Sequence, residues 1–352
     1  MATGEEPADD LGIPPGKKPA IKDVARLAGV AVGTVSNVLN DRPTVSPETR
    51  ERVLEVIRRI GYVPNATARR LRSGEVTTIG AVVLDLANPF FTEIARGIED
   101  RLAQDGYVLM LASSDENLDR ERRYLDLLLQ QGVRGVLVTP AGADLDHLRE
   151  IRDRGTDVVL LDAYSREFPS VGVDDVAGGA LAAAHLLDGG RSRLAFFNGP
   201  HTVRQCAERH AGVERAFLTR ELDPAAVTEV TLPAPMTAEL AESATHELLD
   251  RPGPHPDGIF CINDIVALGV LRALRERGMS VPDDVAVVGY DDVMFASMLT
   301  TPLTSVRQPK RQLGWTAADI LLRGDDEGTE RHVEFVPELV VRASSGAAGD
   351  AG

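Results

Sequence analysis

Short, continuously apolar runs alternate with helical segments through most of this chain, between about residues 77 and 342. Runs such as 78–84, 135–139 and 194–197 are typical of strands that are buried on both faces of a parallel sheet. We count roughly ten strand–helix units, which is more than one ordinary sheet holds. The pattern therefore predicts an α/β core of two doubly wound lobes, with a ligand site between them at the carboxyl ends of the strands.

The length of 352 residues and the composition of both ends limit the rest of the organisation. A chain this long exceeds one ordinary core, and no run of 18 apolar residues offers a membrane span. The first 16 residues are acidic and rich in Pro and Gly, without the basic start and apolar stretch of a signal peptide. We expect disordered tails at 1–18 and 343–352 in a cytoplasmic protein whose cysteines, Cys206 and Cys261, are reduced.

The distribution of charge changes what the net charge of -16 implies. Residues 17–74 hold 12 Lys and Arg against 5 Asp and Glu, a local balance of +7 in a chain that is acidic elsewhere. Neutralisation of DNA phosphates needs only a local basic surface. The sequence therefore favours a small DNA-binding module joined to a large acidic body over an ordinary fluctuation of surface charge.

Apolar residues recur at helical spacing in three consecutive segments of the basic region. The first segment, 21–28, ends at Gly29, a residue that readily adopts the left-handed conformation of a tight turn. A short second segment covers 32–39, and a third runs from Ser46 or Pro47 to the helix-ending Gly61. This order predicts a small all-α helix-turn-helix headpiece over 19–64.

Two groups of residues resemble one known family. The headpiece reads IKDVARLAGVAVGTVSNVLN at 21–40, VSPETR at 45–50 and GYVPN at 61–65. It closely resembles the headpiece of the lactose-repressor (LacI/GalR) family of transcription regulators, and the resemblance extends to residue 71. The core from 78 to about 342 resembles the periplasmic-binding-protein-like core of the same family. Its markers are NPFF at 88–91, GVLV at 135–138, NGP at 198–200, RHAG at 209–212, ND at 263–264, GYDD at 289–292 and PLT at 302–304.

The resemblance implies a set of DNA contacts centred on the second helix, which would lie in the major groove. Among them, Asn37 is the best candidate for a base contact, and Val32 suits a thymine methyl group. Thr34 and Ser36 either reach phosphates or are simply solvated. The full set is Lys22, Val32, Gly33, Thr34, Ser36, Asn37, Asn40, Tyr62, Asn65, Arg69 and Leu71.

The segment 65–76 is short and basic, and a helix of that length is marginal in water by itself. The family resemblance implies a hinge helix that enters the minor groove and inserts Leu71 as a wedge into the central base step. The alternative is an ordinary linker with a buried leucine. Three nearby arginines favour the hinge.

Several polar or aromatic residues fall at predicted strand ends in the core. Arginine and paired acids with asparagine suit a polyol, and an aromatic face covers a sugar ring or stacks on a base. The resemblance implies that Arg209 and Asp291 are the principal effector contacts, with Asn263 in support. The alternative for each is a structural loop contact or a buried salt bridge. The predicted effector-binding residues are Phe91, Asp115, Asp162, Arg209, Asn263 and Asp291.

The family's chain passes three times between the two lobes of its core, so neither lobe is continuous in sequence. On that basis the core is expected at 77–342. The first lobe would comprise about 77–173 and 306–330, and the second about 174–305 and 331–342.

The leading hypothesis is a repressor that binds a palindromic operator in double-stranded DNA as a homodimer. Its small-molecule effector would be a sugar or sugar derivative, or alternatively a purine or nucleoside. A solute-binding module and a metabolic enzyme are the competing classes. No catalytic motif is apparent, and no histidine has metal-ligand spacing with a cysteine. We therefore expect no catalytic residue, cofactor or metal site.

Overall fold

The computed structural model describes residues 19–39, 42–62, 77–324 and 331–346. It divides into two compact units, Met1–Val76 and Thr77–Gly352. The predicted contacts Asn40, Asn65, Arg69 and Leu71, and with them the hinge, lie outside the described residues.

The first unit contains the three helices that the sequence predicts, α1 (Ile21–Ala28), α2 (Val32–Leu39) and α3 (Pro47–Ile60). Local signals set their ends. Helix α1 ends at Gly29 with a φ of 63°, and Ser46 begins α3 by accepting a hydrogen bond from the Thr49 amide. The helices enclose a small apolar core made of Val24, Ala25, Ala28, Val35, Val38, Val53 and Val56.

Two arginines of α3 connect the three helices. Arg50 donates to the carbonyl oxygens of Val38 and Arg42, at 3.4 and 2.7 Å, and Arg52 donates to that of Ala28 at 3.1 Å. The last carbonyls of a helix have no partner within it, and the guanidinium groups satisfy two of these, on Val38 of α2 and Ala28 of α1. The two side chains therefore serve the packing of the headpiece.

The second unit contains two sheets covered by helices. Its strands are β1 (Thr78–Val83), β2 (Val108–Ser113), β3 (Gly135–Val138), β4 (Asp157–Leu161), β5 (Ser170–Val173), β6 (Leu194–Asn198), β7 (Thr228–Thr231), β8 (Gly258–Cys261), β9 (Ala286–Asp291), β10 (Thr304–Arg307), β11 (His332–Phe335) and β12 (Glu338–Val340). Its helices are α4 (Pro89–Gln104), α5 (Leu118–Gln130), α6 (Asp146–Asp153), α7 (Asp175–Asp188), α8 (Arg204–Thr219), α9 (Ala238–Leu249), α10 (Asp264–Glu276) and α11 (Lys310–Arg323).

The strands form two six-stranded sheets, ordered β11-β5-β4-β3-β1-β2 and β12-β10-β9-β8-β6-β7. Every pairing is parallel except the antiparallel pair of β10 and β12. Central strands such as β3, β6 and β8 are buried along their whole length. The predicted α/β core of two doubly wound lobes is thus confirmed.

The chain crosses between the lobes three times, after β5, after β10 and after β11. The predicted boundaries near the carboxyl end are wrong in one respect. We expected 331–342 in the second lobe, but β11 pairs in parallel with β5 of the first sheet, and only β12 joins the second. Both strands are short and half exposed, so their own sequences carry no strong burial pattern. The lobe that each one joins is set by the strand with which it pairs.

The predicted tail at 343–352 also begins too early. Ser344 and Ser345 are buried, and the Ser344 hydroxyl donates to the carbonyl oxygen of Val287 at 2.6 Å while accepting from the Thr304 amide. These serines complete the hydrogen bonding of β9 and β10. Composition alone made 343–346 look like part of a disordered tail, because a hydroxyl that pairs with a distant strand leaves no local signal.

Helices α7 and α8 pack closely through glycines. A Cβ atom at Gly212 would lie 2.3 Å from the carbonyl oxygen of Val176, and one at Gly179 would lie 2.2 Å from that of Arg209. A methyl group at either position would force the helices apart. The glycines therefore bring Arg209 of α8 against the beginning of α7.

Candidate DNA-binding surface and ligand cavity

The predicted DNA contacts that the structure describes lie mainly on the outside of the headpiece. Lys22, Val32, Gly33 and Asn37 are exposed. Thr34, Ser36 and Tyr62 are half-buried. Val32 is 44% exposed, which is unusual for a valine beside the buried Val35 and Val38. Helix α2 therefore buries one side in the headpiece core and presents the other to solvent.

A cavity of about 540 Å³, which includes its opening to solvent, lies between the two lobes of the core. Its lining comes from the chain that follows β1, β2 and β4 in the first lobe and β6, β7 and β8 in the second, together with the last residue of β9. These are carboxyl ends of parallel strands, where doubly wound folds bind ligands. The lining includes Asn88, Phe90, Phe91, Glu116, Asp162, Val203, Gln205, Cys206, Arg209, Met236, Asn263 and Asp291.

Five of the six predicted effector residues meet around this cavity, and Asp115 does not line it. Asp115 is paired with Arg120 and accepts a hydrogen bond from the Ser113 hydroxyl at 2.7 Å. Its neighbour Glu116 lines the cavity instead. Both acids have positive φ values, 50° and 57°, so the chain turns sharply there and adjacent side chains diverge. Sequence spacing could not distinguish the two.

Arg209 is held in a buried group with Asp175 and Tyr290. Its Nε donates to Asp175 Oδ1 at 2.8 Å and its Nη1 to the carbonyl oxygen of Ile262 at 2.6 Å. The guanidinium lies 3.5 Å from the centre of the Tyr290 ring, and the Tyr290 hydroxyl donates to the same Asp175 oxygen. Burial opposes the charge of Arg209, but Asp175 more than compensates and the pKa of Arg209 is raised. The buried salt bridge considered for Arg209 is therefore present.

Asp291 connects the lobes at the bottom of the cavity. It accepts hydrogen bonds from Asn88 of the first lobe at 3.0 Å and from Gln308 at 2.7 Å. Asn88 also caps α4 by accepting from the Phe90 amide. Asn263 caps α10 in the same way, through the Val266 amide. Two predicted ligand residues thus also have structural partners.

Two carboxyl groups of the lining retain an oxygen without a partner. Asp162 accepts from Gln205 at 2.9 Å through Oδ2, while its buried Oδ1 has no hydrogen bond. Glu116 Oε2 is likewise buried and unpaired. Burial raises the pKa of each group to about 7, assisted by Asp175 for Asp162 and by Asp85 for Glu116. An unsatisfied buried acceptor is costly, so these two oxygens can each still accept a hydrogen bond.

Sequence reasoning missed Asn88, Glu116, Asp175, Gln205 and Tyr290 as site residues. Asn88 and Tyr290 lie within the NPFF and GYDD markers, so the signal was present without a role. Asp175 follows Asp174, which caps α7 by accepting from the Ala177 amide. The local sequence does not distinguish an aspartate that caps a helix from one that is the buried partner of an arginine.

Comparison with known proteins follows the same division of the chain. Residues 20–65 match the family described as bacterial regulatory proteins, lacI family, and residues 183–345 match the periplasmic binding protein-like domain. The chain is 35% identical over 328 residues to the HTH-type transcriptional repressor PurR of Vibrio campbellii, a match that covers 92% of this chain and 97% of that protein. The chain belongs to the lacI family. It is a DNA-binding transcriptional repressor of that family.

Two further relatives extend the comparison for this lacI-family repressor. The ribose operon repressor of Halalkalibacterium halodurans is 35% identical over 331 residues, covering 92% of this chain and 96% of that protein. The crystal structure of the lac repressor dimer bound to operator and the anti-inducer ONPF superposes with a TM-score of 0.76 at 28% identity. That match covers 94% of this chain and all of the other.

None of the helices in the described part of the chain combines the length and the apolar character of a membrane span.

The raised pKa of Glu116 makes stability depend on pH. The folded repressor keeps a proton on Glu116 up to about pH 7, whereas an unfolded chain releases it near 4.5. The folded state therefore binds more protons between these values, and this group lowers stability as the pH rises through them. We expect Glu116→Gln to raise the melting temperature by a few degrees more at pH 8 than at pH 5. Exposed Glu247→Gln is the control, and an equal effect at both pH values would contradict the assignment.

Proposed function

We propose that this repressor binds a palindromic operator as a homodimer and is controlled by a neutral polyol, a sugar or sugar derivative, in the cavity between its lobes. The observation that carries the effector assignment is the pair of unpaired carboxyl oxygens on Glu116 and Asp162. Both residues line the cavity, and both need hydrogen-bond donors. Hydroxyl groups meet this need because each can donate to one group and accept from another.

The balance of charge in the cavity argues for a neutral ligand. Glu116, Asp162 and Asp291 line it, while its buried cation, Arg209, already pairs with Asp175. A phosphate or carboxylate ligand would lie beside these acids, and Arg209 is the only Lys or Arg among the described residues that line this cavity. Phe91 supplies an apolar wall of the kind that covers one face of a sugar ring.

A purine or nucleoside is the second candidate. The same aromatic wall suits a stacked base, and ring N–H groups donate to carboxylates. The names of the relatives do not decide between a sugar and a purine, because one relative is PurR and another is a ribose operon repressor. The polyol is favoured because Glu116 and Asp162 follow two different strands of the first lobe, β2 and β4, so donors are needed at two separate points.

The effector assignment is tested by calorimetry on the full chain with pentoses and hexoses against hypoxanthine, guanine and adenosine. We expect a sugar to bind, and Asp162→Asn to weaken it by about tenfold or more, since a buried ligand hydroxyl left without its acceptor costs about 1–3 kcal/mol. Asp115→Asn is the matched control, because Asp115 does not line the cavity. Binding of purines alone would overturn the sugar assignment, and equal losses in both variants would overturn the placement of the site.

We further propose that α2 enters the major groove and that Asn37 reads a base edge there. Asn37, Val32 and Gly33 are exposed on the helix whose other side packs into the headpiece. An amide reads adenine through two hydrogen bonds, and an exposed valine suits a thymine methyl group. Lys22 is exposed at the beginning of α1 and suits a phosphate.

Base and phosphate contacts respond differently to DNA sequence. Once the operator has been defined by selection from random DNA, Asn37→Ala should cost about 1–3 kcal/mol on it and little on random DNA. Lys22→Ala should weaken binding to both DNAs and reduce the salt dependence by about two ions per dimer, one for each protomer. Gel-shift titration at several salt concentrations measures both effects. A uniform loss in the Asn37 variant would show that this side chain does not read sequence.

The homodimer proposal is supported by the edge of the first sheet. Strand β2 is an edge strand, and its side chains Val108, Met110 and Leu111 are 60%, 37% and 36% exposed. Neighbouring side chains point to opposite faces, so the exposure of both Met110 and Leu111 leaves two apolar faces uncovered. Exposed apolar edges of this kind are usually interfaces, and a two-fold dimer matches a palindromic site.

Charges placed on this edge should separate the protomers. We expect Val108→Glu combined with Met110→Glu to sediment as a monomer at micromolar concentration and to bind the palindromic operator much more weakly. Val336→Glu adds a charge at a valine that is 80% exposed and outside the edge, so it should remain dimeric. A dimer that survives the double substitution would place the interface elsewhere.

A further inference from the structure

Three side chains of metal-ligand type meet in the second lobe. His201 lies in the loop after β6, His210 lies on α8, and Glu229 lies on β7. Their candidate ligand atoms are all within 4.8 Å of one another. We refer to these three residues as the His–His–Glu cluster. They lie on three different elements and include no cysteine, so no metal-ligand spacing of histidine with cysteine marks them in the sequence.

The carboxylate is at the centre of the cluster, with one imidazole at each oxygen. His201 Nε2 is 2.8 Å from Glu229 Oε1, and His210 Nδ1 is 3.3 Å from Glu229 Oε2. The two imidazole centres are 4.7 Å apart. Zinc binds nitrogen and carboxylate oxygen at about 2.0–2.2 Å in a tetrahedron, which separates ligand atoms by roughly 3.3 Å. Coordination therefore requires these ligand atoms, which lie within 4.8 Å of one another, to approach, and it requires His201 Nε2 to give up its 3.3 Å contact with Asn198 Nδ2.

One ring nitrogen of the cluster has no hydrogen-bond partner among the described residues. His210 Nδ1 is buried and makes no hydrogen bond, despite its distance of 3.3 Å from Glu229. On the other side of the ring, His210 Nε2 lies 3.5 Å from Glu214, one helical turn further along α8. A carboxylate behind an imidazole orients the opposite nitrogen towards a metal and increases its basicity.

Glu229 is positioned by its own partner. Asn198, at the end of β6, donates to Glu229 Oε1 at 2.8 Å. Asn198 is fully buried and also donates to the carbonyl oxygen of Cys206, so the carboxylate is held to the frame of the sheet. Ligands fixed in this way lose little freedom on binding an ion.

A second group of similar composition provides a contrast. Glu242, His246 and Glu276 also lie close together, on α9 and α10. There Arg277 donates to His246 Nδ1 at 3.0 Å, and Arg272 lies 3.3 Å from Glu242. A cation would have to displace both guanidinium groups, so we assign no ion to this group.

We propose that the His–His–Glu cluster binds a divalent transition metal of the zinc type through His201 Nε2, His210 Nδ1 and the Glu229 carboxylate. Imidazole nitrogen with one carboxylate favours zinc over magnesium or calcium, which prefer oxygen ligands alone. Three protein ligands leave a fourth position for water or an incoming group. The proposal does not depend on the identity of the effector.

An ion at this position would fix the loop between β6 and α8. His201 and Thr202 of that loop line a second cavity of about 720 Å³, which includes its opening to solvent and shares Asp162 and Gln205 with the first. Val203 lines the first cavity, and His210 directly follows Arg209 on α8. The metal would therefore stiffen one wall of the cleft.

The test is calorimetric titration of the metal-free, full-length repressor with Zn²⁺, in a buffer that does not bind zinc. We expect one ion per chain and a higher melting temperature in its presence. Loss of an orienting group behind a ligand already costs roughly 10–100-fold in affinity, so His201→Gln or His210→Gln should each weaken binding by at least about tenfold. His246→Gln, in the arginine-filled group, should bind zinc as the wild type does.

Spectroscopy with Co²⁺ in place of Zn²⁺ checks the geometry independently, because tetrahedral cobalt absorbs strongly in the visible range. His201 is half exposed in a loop, so His201→Gln should fold normally, and circular dichroism verifies this. The proposal is overturned if the wild type takes up no zinc. It is equally overturned if His201→Gln and His210→Gln bind zinc as tightly as the wild type does.

Discussion

The cavity between the two lobes depends on a guanidinium group held away from water. Arg209 is buried between the Asp175 carboxylate and the Tyr290 ring, and an arginine in such a place is tolerated only if its charge and donors are matched. The match requires close approach. A Cβ atom at Gly178 would lie 2.1 Å from the Tyr290 hydroxyl. The ring, the carboxylate and the arginine can therefore come together only because α7 carries no side chain at this position. This packing fixes the first turns of α7 and α8 and, with them, one wall of the cavity.

The polar residues of the cavity divide into those whose partners are in the protein and those that still need one. Arg209 and Asp291 have strong internal partners and stabilise the cleft. Glu116 and Asp162 retain buried oxygens without donors. The hydrogen bond from Asn88 to Asp291 joins the two lobes at the bottom of the cavity. A ligand that binds beside it can favour one arrangement of the lobes over another, and such a difference in affinity is all that control of a distant activity requires.

The accuracy of sequence reasoning followed the range of the interactions involved. The headpiece helices were predicted nearly to the residue, because Gly29, Ser46 and Gly61 mark their ends through local backbone conformation and capping. Central strands were recognised from continuous apolar runs. The error between Asp115 and Glu116 came from two successive residues with positive φ, and the misplacement of β11 came from a pairing across more than 150 residues. Neither leaves a mark in the neighbouring sequence.

The sequence by itself determined the class of protein, the order of its units and most of the residue types that gather in the cleft, because periodicity, turn residues and family motifs are properties of short segments. Only the tertiary structure decided which of those residues already have hydrogen-bond partners within the protein. Asp175, Tyr290 and Gln205 acquired roles because distant strands end at one edge of a sheet. His201, His210 and Glu229 came together for the same reason, since the connections around β6 and β7 bring separated side chains within reach. Proximity in space depends on topology, which no short stretch of sequence encodes.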